Sequence, residues 1–282
     1  RNKEKFIKYL RIGFILLYFL KMINRNYFLT IILIFTLIGC KTKNQKQDIE
    51  SYSYKNIPEK LLYFPNDSLS DQIIKHTAFS LAYSDKNEQA SWVQYKLYKS
   101  NLESPQVLRN NKFREDNKVS TGSANLNDYK KSGYDRGHIA PCADFTYSNT
   151  TMLESFLMSN ISPQIPSFNR GKWKVLESRV REYALRYDSL LIITGPVLYS
   201  INNHATIGEN NVTIPEFYFK IIFELKEFTS VSYLMPNIKI ENTIDNYIVS
   251  IDSIESVTKI DFFYPDTSCN SCNEEKLINK DF

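Results

Sequence analysis

One histidine near the middle of the chain stands in a local sequence that suits acid–base chemistry. His138 follows Gly137 and is soon followed by the turn-forming Pro141. A neutral imidazole held at a defined angle by such a turn can accept a proton near neutral pH. The neighbouring Asp135 and Arg136 can fix the loop and meet a phosphate. Since a lone histidine is more often a packed or surface residue, a catalytic role for it depends on residues elsewhere in the chain.

A second segment, residues 159–177, carries oxygen donors of the kind that hard cations prefer. Asn160, Asn169 and Glu177 offer amide or carboxylate oxygens, which suit Mg²⁺. Asn169 opens a predicted helix, and Trp173 and Glu177 follow it at intervals of four residues, near one helix face. By itself, Asn169 would be interpreted as a helix cap. As the sole side-chain ligand, it would leave a Mg²⁺ ion mostly hydrated and able to bridge to a phosphate.

Three strings follow one another in this part of the chain: DRGHIAP at residues 135–141, SNISPQ at 159–164 and N-x₃-W-x₂-LE at 169–177. In this order they resemble the DNA/RNA non-specific endonucleases, a family that includes secreted bacterial nucleases and mitochondrial endonuclease G. The resemblance extends over about residues 90–263. It implies an α/β (α+β) domain with the ββα-metal, or His-Me finger, nuclease fold and a mixed, mainly antiparallel central sheet.

The resemblance also implies roles for individual residues. His138 would deprotonate the attacking water as general base, and Asn169 would bind a hydrated Mg²⁺ directly, with Mn²⁺ as a possible substitute. Glu177 would hold waters of that ion. Arg136 would bind a phosphate or fix the loop, and Asn160 would position the site. The implied reaction is hydrolysis of phosphodiester bonds in DNA and RNA.

An upstream arginine of the family stabilises the charge that builds up in the transition state. Arg109 is the candidate for this role, and Arg114 competes with it because the alignment slides within the loop. Asp135 is expected to anchor the turn. The chain departs from the family pattern at Cys142, where an alanine is common, and at Lys259, where a glycine is common. Neither departure touches the proposed chemistry.

Two other functions remain open from the sequence. One is a phosphodiesterase with a narrower substrate, such as RNA alone, because recognition through the phosphate backbone leaves few base-reading signals. The other is a nucleic-acid-binding surface lipoprotein, or an adhesion lipoprotein, without catalysis. The set of His138, Asn169 and Glu177 argues against the second function, because a binding module needs no general base.

Charge is distributed unevenly along the chain. The formal net charge is +4, but residues 1–57 hold 11 Lys and Arg against 3 Asp and Glu. Residues 58–282 hold 24 basic and 28 acidic residues, so a globally basic nucleic-acid binder is excluded. Residues 109–186 hold 13 basic and 8 acidic residues, and phosphate-binding groups are expected there.

The N-terminal part has the layout of a targeting segment. A short apolar run at residues 27–39 follows basic residues and ends at Cys40, which resembles a bacterial lipobox. We interpret residues 1–39 as targeting sequence, with 22–39 as a lipoprotein signal peptide and Cys40 as the lipid anchor to the membrane. An uncleaved membrane anchor is the alternative, and both place the domain outside the cytoplasm. Residues 1–21 are either upstream read-through or part of a two-segment membrane region.

The rest of the chain divides into a tether, a domain and a tail. Residues 40–57 are polar and predict a flexible tether, and residues 58–265 predict the endonuclease domain. In the polar tail, residues 266–282, Cys269 and Cys272 could form a local disulfide in an oxidising compartment. Cys142 is expected to be a small buried residue beside the histidine turn.

Hydrophobic periodicity predicts the elements that must position these residues. The predicted strands are 92–99, 190–197, 212–225 and 230–235, the predicted helices are 171–187 and the later part of 242–258, and a long loop is predicted at 109–134.

Overall fold

The structure is a computed structural model that describes residues 65–67, 70–199, 205–226 and 229–262. These residues belong to one compact unit of the chain. The predicted targeting segment, tether, lipidated cysteine and tail, with its cysteine pair, lie outside the described residues. Within the described ranges, no helix has the length and apolar character needed to cross a bilayer.

A seven-stranded antiparallel sheet forms the centre of the fold, with the strand order β1-β2-β3-β6-β9-β10-β11. The strands are β1 (Gln72–Lys75), β2 (Phe79–Ser84), β3 (Gln89–Tyr98), β6 (Ser189–Pro196), β9 (Phe217–Glu224), β10 (Ser230–Pro236) and β11 (Ile248–Val249). Short ribbons pair β4 (Asp135–His138) with β5 (Ile161–Gln164), and β7 (Thr206–Ile207) with β8 (Val212–Thr213). The central strands β6 and β9 are rich in Ile, Leu and Phe and are buried almost throughout, because both faces of the sheet are covered.

Helices and turns complete the chain between these strands. The helices are α1 (Lys99–Glu103), α2 (Leu126–Tyr129), α3 (Asn149–Ser155), α4 (Pro166–Phe168), α5 (Lys174–Tyr187) and α6 (Ile251–Thr258). Short 3₁₀ turns lie at Cys142–Asp144, Met158–Asn160 and Ile244–Tyr247. A wide π-helical turn, Asn169–Trp173, joins α4 to α5.

The two faces of the sheet pack against different helices. On one face, Ile192 joins a core that includes Leu176 of α5. On the other face, Ile193 joins a core that includes Ile254 of α6. Because successive side chains of a strand point to opposite faces, the neighbours Ile192 and Ile193 enter different cores. The helix that carries the predicted metal site is therefore fixed to the centre of the sheet.

The ribbon of β4 and β5 holds the first two of the three sequence strings. In this ribbon Asp135 pairs with Gln164, and His138 pairs with Ile161. After β5 the chain enters α4, the wide turn and α5, which hold the third string. This succession of two antiparallel strands and a helix is the ββα unit that the resemblance implied. The predicted α/β fold with a mainly antiparallel central sheet is confirmed.

Three of the predicted elements need correction. The predicted strand 212–225 is two strands, because Pro215 lies between β8 and β9 and has no N–H to donate to a ladder. The predicted loop 109–134 contains α2, which begins at a capping box formed by Asn125 and Asp128. The helical region of the third string begins at Pro166, not at Asn169, and proline is favoured at a first helical position.

Candidate active site

His138 is held rigidly at the end of β4. Its ring packs edge-on against Phe156, with centroids 4.8 Å apart, and against Phe113 at 5.5 Å. The residue is 9% exposed, and its buried Nε2 atom has no hydrogen-bond partner among the described residues. Aromatic packing therefore sets the orientation of the imidazole and leaves this nitrogen without a protein partner among the described residues.

The surroundings of His138 keep its imidazole neutral. Burial, followed by the positive charges of Arg109 and Arg136, lowers the pKa of His138 from 6.5 to about 3. An imidazole with a lowered pKa carries no charge at neutral pH, which is the form that a general base requires. Binding of an anionic substrate would offset the two positive charges, so the imidazole becomes a stronger base when a phosphate is bound.

Each of the two arginines packs on one of the phenylalanines that contact the His138 ring. The guanidinium of Arg136 lies over the ring of Phe113, 4.4 Å from its centroid. The guanidinium of Arg109 lies over the ring of Phe156, at 5.4 Å. Both arginines are exposed, so the site offers two cations close to a neutral imidazole. Neither phenylalanine was identified from the sequence.

Arg109 and Arg114, the two candidates for the upstream arginine, have different surroundings. Nη1 of Arg114 donates a hydrogen bond of 2.8 Å to the carbonyl of Leu153 in α3, and its backbone bridges to Leu157. Nε of Arg109 donates to the side chain of Asn111, while its charge acts on the pKa of His138. Of the two, only Arg109 acts on the pKa of His138, and it remains the candidate for the upstream arginine.

Asn160 stabilises the turn that follows His138 through several hydrogen bonds. Its Oδ1 atom accepts a hydrogen bond from the amide of Ala140, and its Nδ2 atom donates to the carbonyls of Ala140 and Ser155, all at 2.9 Å. Its own carbonyl accepts from the amide of Ile139. Because the side chain is fully buried and these bonds engage it, Asn160 positions the turn and does not face the substrate.

Asn169 is joined to β4 through Asp135. Its Nδ2 atom donates a 2.9 Å hydrogen bond to Oδ2 of Asp135. The same carboxylate accepts two hydrogen bonds from Arg170, at 2.8 and 2.5 Å. An amide that donates through its nitrogen has its oxygen left over as an acceptor. Asp135 therefore fixes which atom of Asn169 faces outwards, a role beyond the turn anchor expected from the sequence.

The wide turn explains how Asn169 reaches Asp135. Gly171, in the middle of the turn, has non-helical backbone angles (φ −101°, ψ −118°), so the regular helical spacing is broken between Asn169 and α5. Asn169 is not the N-cap that its place at the start of the predicted helix suggested, since its backbone is helical and it directly follows α4. Turns of this kind inside helices frequently occur at functional sites.

Gly137 leaves room for the side chain of Gln164 to lie across β4. A Cβ atom at this position would lie 2.2 Å from Cδ of Gln164, whose side chain crosses over the glycine. Gln164 is fully buried, and both its amide atoms lack a hydrogen-bond partner among the described residues. A larger residue at position 137 would require the buried Gln164 side chain to move.

Beneath the site lies a group of charged side chains that we call the charged cluster: Glu177 and Arg181 of α5, Asp144 and Lys220. Nη1 of Arg181 donates to Asp144 at 2.9 Å, and Asp144 also accepts from the hydroxyl of Tyr95 at 2.7 Å. Burial raises the pKa of Glu177, and the nearby charge of Lys220 opposes the rise. Of these four residues, the sequence had indicated only Glu177, although the spacing of four residues to Arg181 is a helical signal.

The residues around Asn169 and Glu177 fit a hard divalent cation. Asn169 has an amide oxygen free for a ligand, and the half-buried carboxylate of Glu177 accepts no hydrogen bond from the described residues. Oxygen donors suit Mg²⁺, which keeps most of its own water. In the described part of the chain, no group of three or more His, Cys, Asp or Glu side chains could hold a metal. This set of donors suits a cation that is bound by few protein side chains and by several waters.

A shallow basic groove runs along the outer side of α5, beside this site. It has a volume of about 410 Å³ and includes Arg170, Lys174, Arg179 and the acidic Glu182. Arg179 is paired with Asp245, so its charge is partly neutralised. Lys174 remains as an exposed cation near the site, within the region where the sequence predicted phosphate-binding groups.

The buried free cysteine of this region agrees with expectation. Cys142 is 5% exposed, carries no disulfide and packs with Met152 and Phe156 behind the histidine turn.

The left-handed backbone of Lys259 (φ 60°) ends α6, which accounts for the glycine that is common at this position.

Known proteins are similar to this chain in sequence and fold. The family model for DNA/RNA non-specific endonucleases matches residues 57–267. Human mitochondrial endonuclease G is 30% identical over 210 residues, which are 68% of this chain and 69% of that protein. A nuclease of Syncephalastrum racemosum is 30% identical over 227 residues, 72% and 71% of the two chains. The crystal structure of an EndoG/EndoGI complex superposes with a TM-score of 0.64 at 28% identity, over 68% of this chain and 85% of that chain.

Proposed function

Because the chain belongs to the DNA/RNA non-specific endonuclease family, and is therefore a nucleic-acid hydrolase, we propose that it is a magnesium-dependent endonuclease that uses His138 as general base. Nucleases of this family are metal-dependent and act on DNA and RNA. The observation that carries the proposal is the neutral imidazole of His138, packed against two phenylalanines whose rings each lie beneath an arginine. A neutral imidazole with two exposed cations close to it supports the role of a base that acts beside a phosphate.

In the proposed mechanism, His138 takes the proton of the attacking water. General base catalysis of this kind contributes a factor of about 10²–10⁴ to the rate. Attack on the phosphodiester adds negative charge to a pentacoordinate phosphorus. Arg109 and Arg136 stabilise that charge, because a guanidinium donates charge-assisted hydrogen bonds to phosphate oxygens.

Asn169 would hold the Mg²⁺ ion through Oδ1, and Glu177 would hold the waters of that ion. When bound, the cation neutralises charge on the phosphate and on the leaving oxygen. Asp135 keeps the Asn169 amide in its orientation, and Asn160 keeps the histidine turn in place. Mn²⁺ has the same preference for oxygen ligands and is expected to substitute.

A digestion assay with matched variants tests this function. The full chain, purified in a mild detergent, is incubated with supercoiled plasmid, single-stranded DNA and RNA, with Mg²⁺ and with EDTA. We expect cleavage of all three substrates with Mg²⁺ only. Asn169→Ala should abolish cleavage at low Mg²⁺, while the exposed Asn127→Ala should not. Cleavage of RNA alone would support the narrower phosphodiesterase, and cleavage in EDTA would contradict the metal-dependent mechanism.

We also propose that the enzyme acts outside the cytoplasm and is tethered to a bacterial membrane by lipid on Cys40. The apolar run at residues 27–39 and the cysteine at its end support this location. A Cys40→Ser variant expressed in bacteria is expected to lose incorporation of labelled palmitate and to leave the membrane fraction. Unchanged labelling of this variant would contradict the lipid anchor.

A further inference from the structure

Asp116 is a buried carboxylate in the loop that carries Phe113, and it is 3% exposed. Its Oδ2 atom accepts hydrogen bonds from Nε2 of His76 at 2.9 Å and from the hydroxyl of Ser159 at 2.6 Å, and its Oδ1 atom accepts from the amide of Lys118 at 3.0 Å. Removing a carboxylate from water is strongly unfavourable unless hydrogen bonds replace the water. Because the proposed mechanism does not use Asp116, its place in the core calls for another function.

The hydrogen bonds of Asp116 join three separate parts of the chain. His76 lies in the turn between β1 and β2, at one edge of the central sheet, and its side chain is 1% exposed. Ser159 lies in the 3₁₀ turn before β5, directly before Asn160, which stabilises the histidine turn. Burial by itself raises the pKa of Asp116, but the hydrogen bonds from His76 and Ser159 outweigh it and hold the pKa below its usual value. Asp116 is therefore an anionic junction between the sheet, the loop and a turn beside the site.

The two phenylalanines that contact the proposed base stand on segments that run side by side. Phe113 and Phe156 pack edge to face, with ring centroids 4.9 Å apart. The amide of Arg114 donates to the carbonyl of Phe156 at 3.3 Å, and the carbonyl of Arg114 accepts from the amide of Met158 at 2.9 Å. The two segments run parallel at this bridge. The carboxylate of Asp116 forms the next link between them, through its bond to the following serine.

We propose that Asp116 is a positioning residue: its bonds to the sheet and to the 3₁₀ turn hold the two phenylalanines against the ring of His138. An aspartate suits this place because both of its oxygens accept, whereas an asparagine would turn an N–H towards a donor. This inference rests on the proposed function, since it takes His138 as the base. Asp116 is buried and bonded to protein groups, so it acts through these rings and not on the substrate.

Plasmid cleavage by matched variants of the full chain tests this role. Asp116→Asn keeps the size of the side chain, and Ser159→Ala removes one of its hydrogen bonds. Thr258→Val is the control, because it removes a buried hydroxyl hydrogen bond from α6, on the other face of the sheet. Displacing a reacting group by about 1 Å can cost about 10²-fold in rate. We expect kcat to fall about 10- to 100-fold in Asp116→Asn and Ser159→Ala and to stay close to that of the parent in Thr258→Val.

A second measurement does not depend on activity. Diethyl pyrocarbonate acylates neutral imidazoles, and the buried ring of His138 should react slowly with it in the parent. Mass spectrometry of the modified peptides gives the reaction rate at this ring, without metal or substrate. We expect the rate to rise several-fold in Asp116→Asn, because loosened phenylalanines admit the reagent. Thr258→Val should react as slowly as the parent.

The outcomes separate the inference from the proposed function. A folded Asp116→Asn protein with the labelling rate of the parent would overturn the inference, and so would equal effects in Thr258→Val. If Asp116→Asn does not fold, Ser159→Ala carries the same test. Faster labelling of His138 at an unchanged kcat would show that the ring is held in place but is not the base, and would contradict the proposed function.

Discussion

Asp135 accepts a hydrogen bond of 2.9 Å from the side-chain nitrogen of Asn169, which ties the strand that carries His138 to the start of the following helical segment. The bond decides the orientation of the amide, because a carboxylate accepts only from the nitrogen. Arg170 donates two hydrogen bonds to the same carboxylate. The strand that carries the proposed base and the residue proposed to bind the metal are thereby held in one structural unit.

Asp135→Asn should weaken the metal site without removing a ligand. The new amide can meet Asn169 with either atom, and it loses the ion pair with Arg170. We expect the Mg²⁺ concentration for half-maximal plasmid cleavage to rise about 10- to 100-fold, with cleavage restored at high Mg²⁺. The exposed Asp252→Asn is the control. Equal Mg²⁺ requirements in the two variants would show that Asp135 does not orient Asn169.

Arg136→Gln should shift the pH dependence of cleavage. The cation disfavours protonation of His138, so its removal raises the pKa of His138 from about 3 towards its ordinary value. The acid limb of kcat/KM reports the base in the free enzyme, and it should move to higher pH in the variant. Lys130→Gln, another exposed basic position, should leave the limb in place. A limb that stays in place or moves to lower pH in Arg136→Gln would contradict this electrostatic coupling.

Asn160→Ala should reduce both stability and activity. The substitution leaves the backbone groups of Ala140 and Ser155 without their partners in a buried region. Each buried polar group left unpaired costs about 1–3 kcal/mol. We expect a clear fall in the urea midpoint of unfolding, whereas Asn169→Ala should lose activity at nearly unchanged stability. A stable but inactive Asn160→Ala would instead indicate that Asn160 meets the substrate.

Lys174→Gln should weaken substrate binding without changing the chemical step. Lys174 is exposed in the basic groove along α5. If it contacts one phosphate, its loss should reduce the salt dependence of binding, measured by fluorescence anisotropy with duplex DNA in EDTA, by about one unit of slope. Lys86→Gln, in the turn between β2 and β3, is the matched control. An unchanged slope would show that Lys174, and with it the groove, does not contact the phosphates of the substrate.

The fold was predictable where sequence periodicity and packing agree. The apolar run of β6 and the helical spacing in α5 lie within a few residues of their predicted bounds, because burial alone determines both patterns. The turn at Asn169 was not predictable in this way. Its conformation depends on Gly171 and on the tertiary bond to Asp135, and neither produces a periodic signal.

In the candidate site, only the residues that stand in recognisable sequence motifs were predictable. His138, Asn169 and Glu177 stand in strings with characteristic spacing, whereas Phe113 and Phe156 lie in segments without such a pattern. Lys220 occupies a strand whose apolar sequence suggests packing and not charge. Contacts between side chains that are distant in sequence, such as that of Lys220 with Trp173, become visible only in the folded chain.

The rate of Mg²⁺-dependent plasmid cleavage by His138→Ala, compared with the parent at neutral pH, tests the central claim most directly. Loss of the general base should lower kcat by a factor of about 10²–10⁴, while Mn²⁺ binding and the urea midpoint remain close to those of the parent. Full cleavage by a folded His138→Ala protein would contradict the assignment of this imidazole as the base.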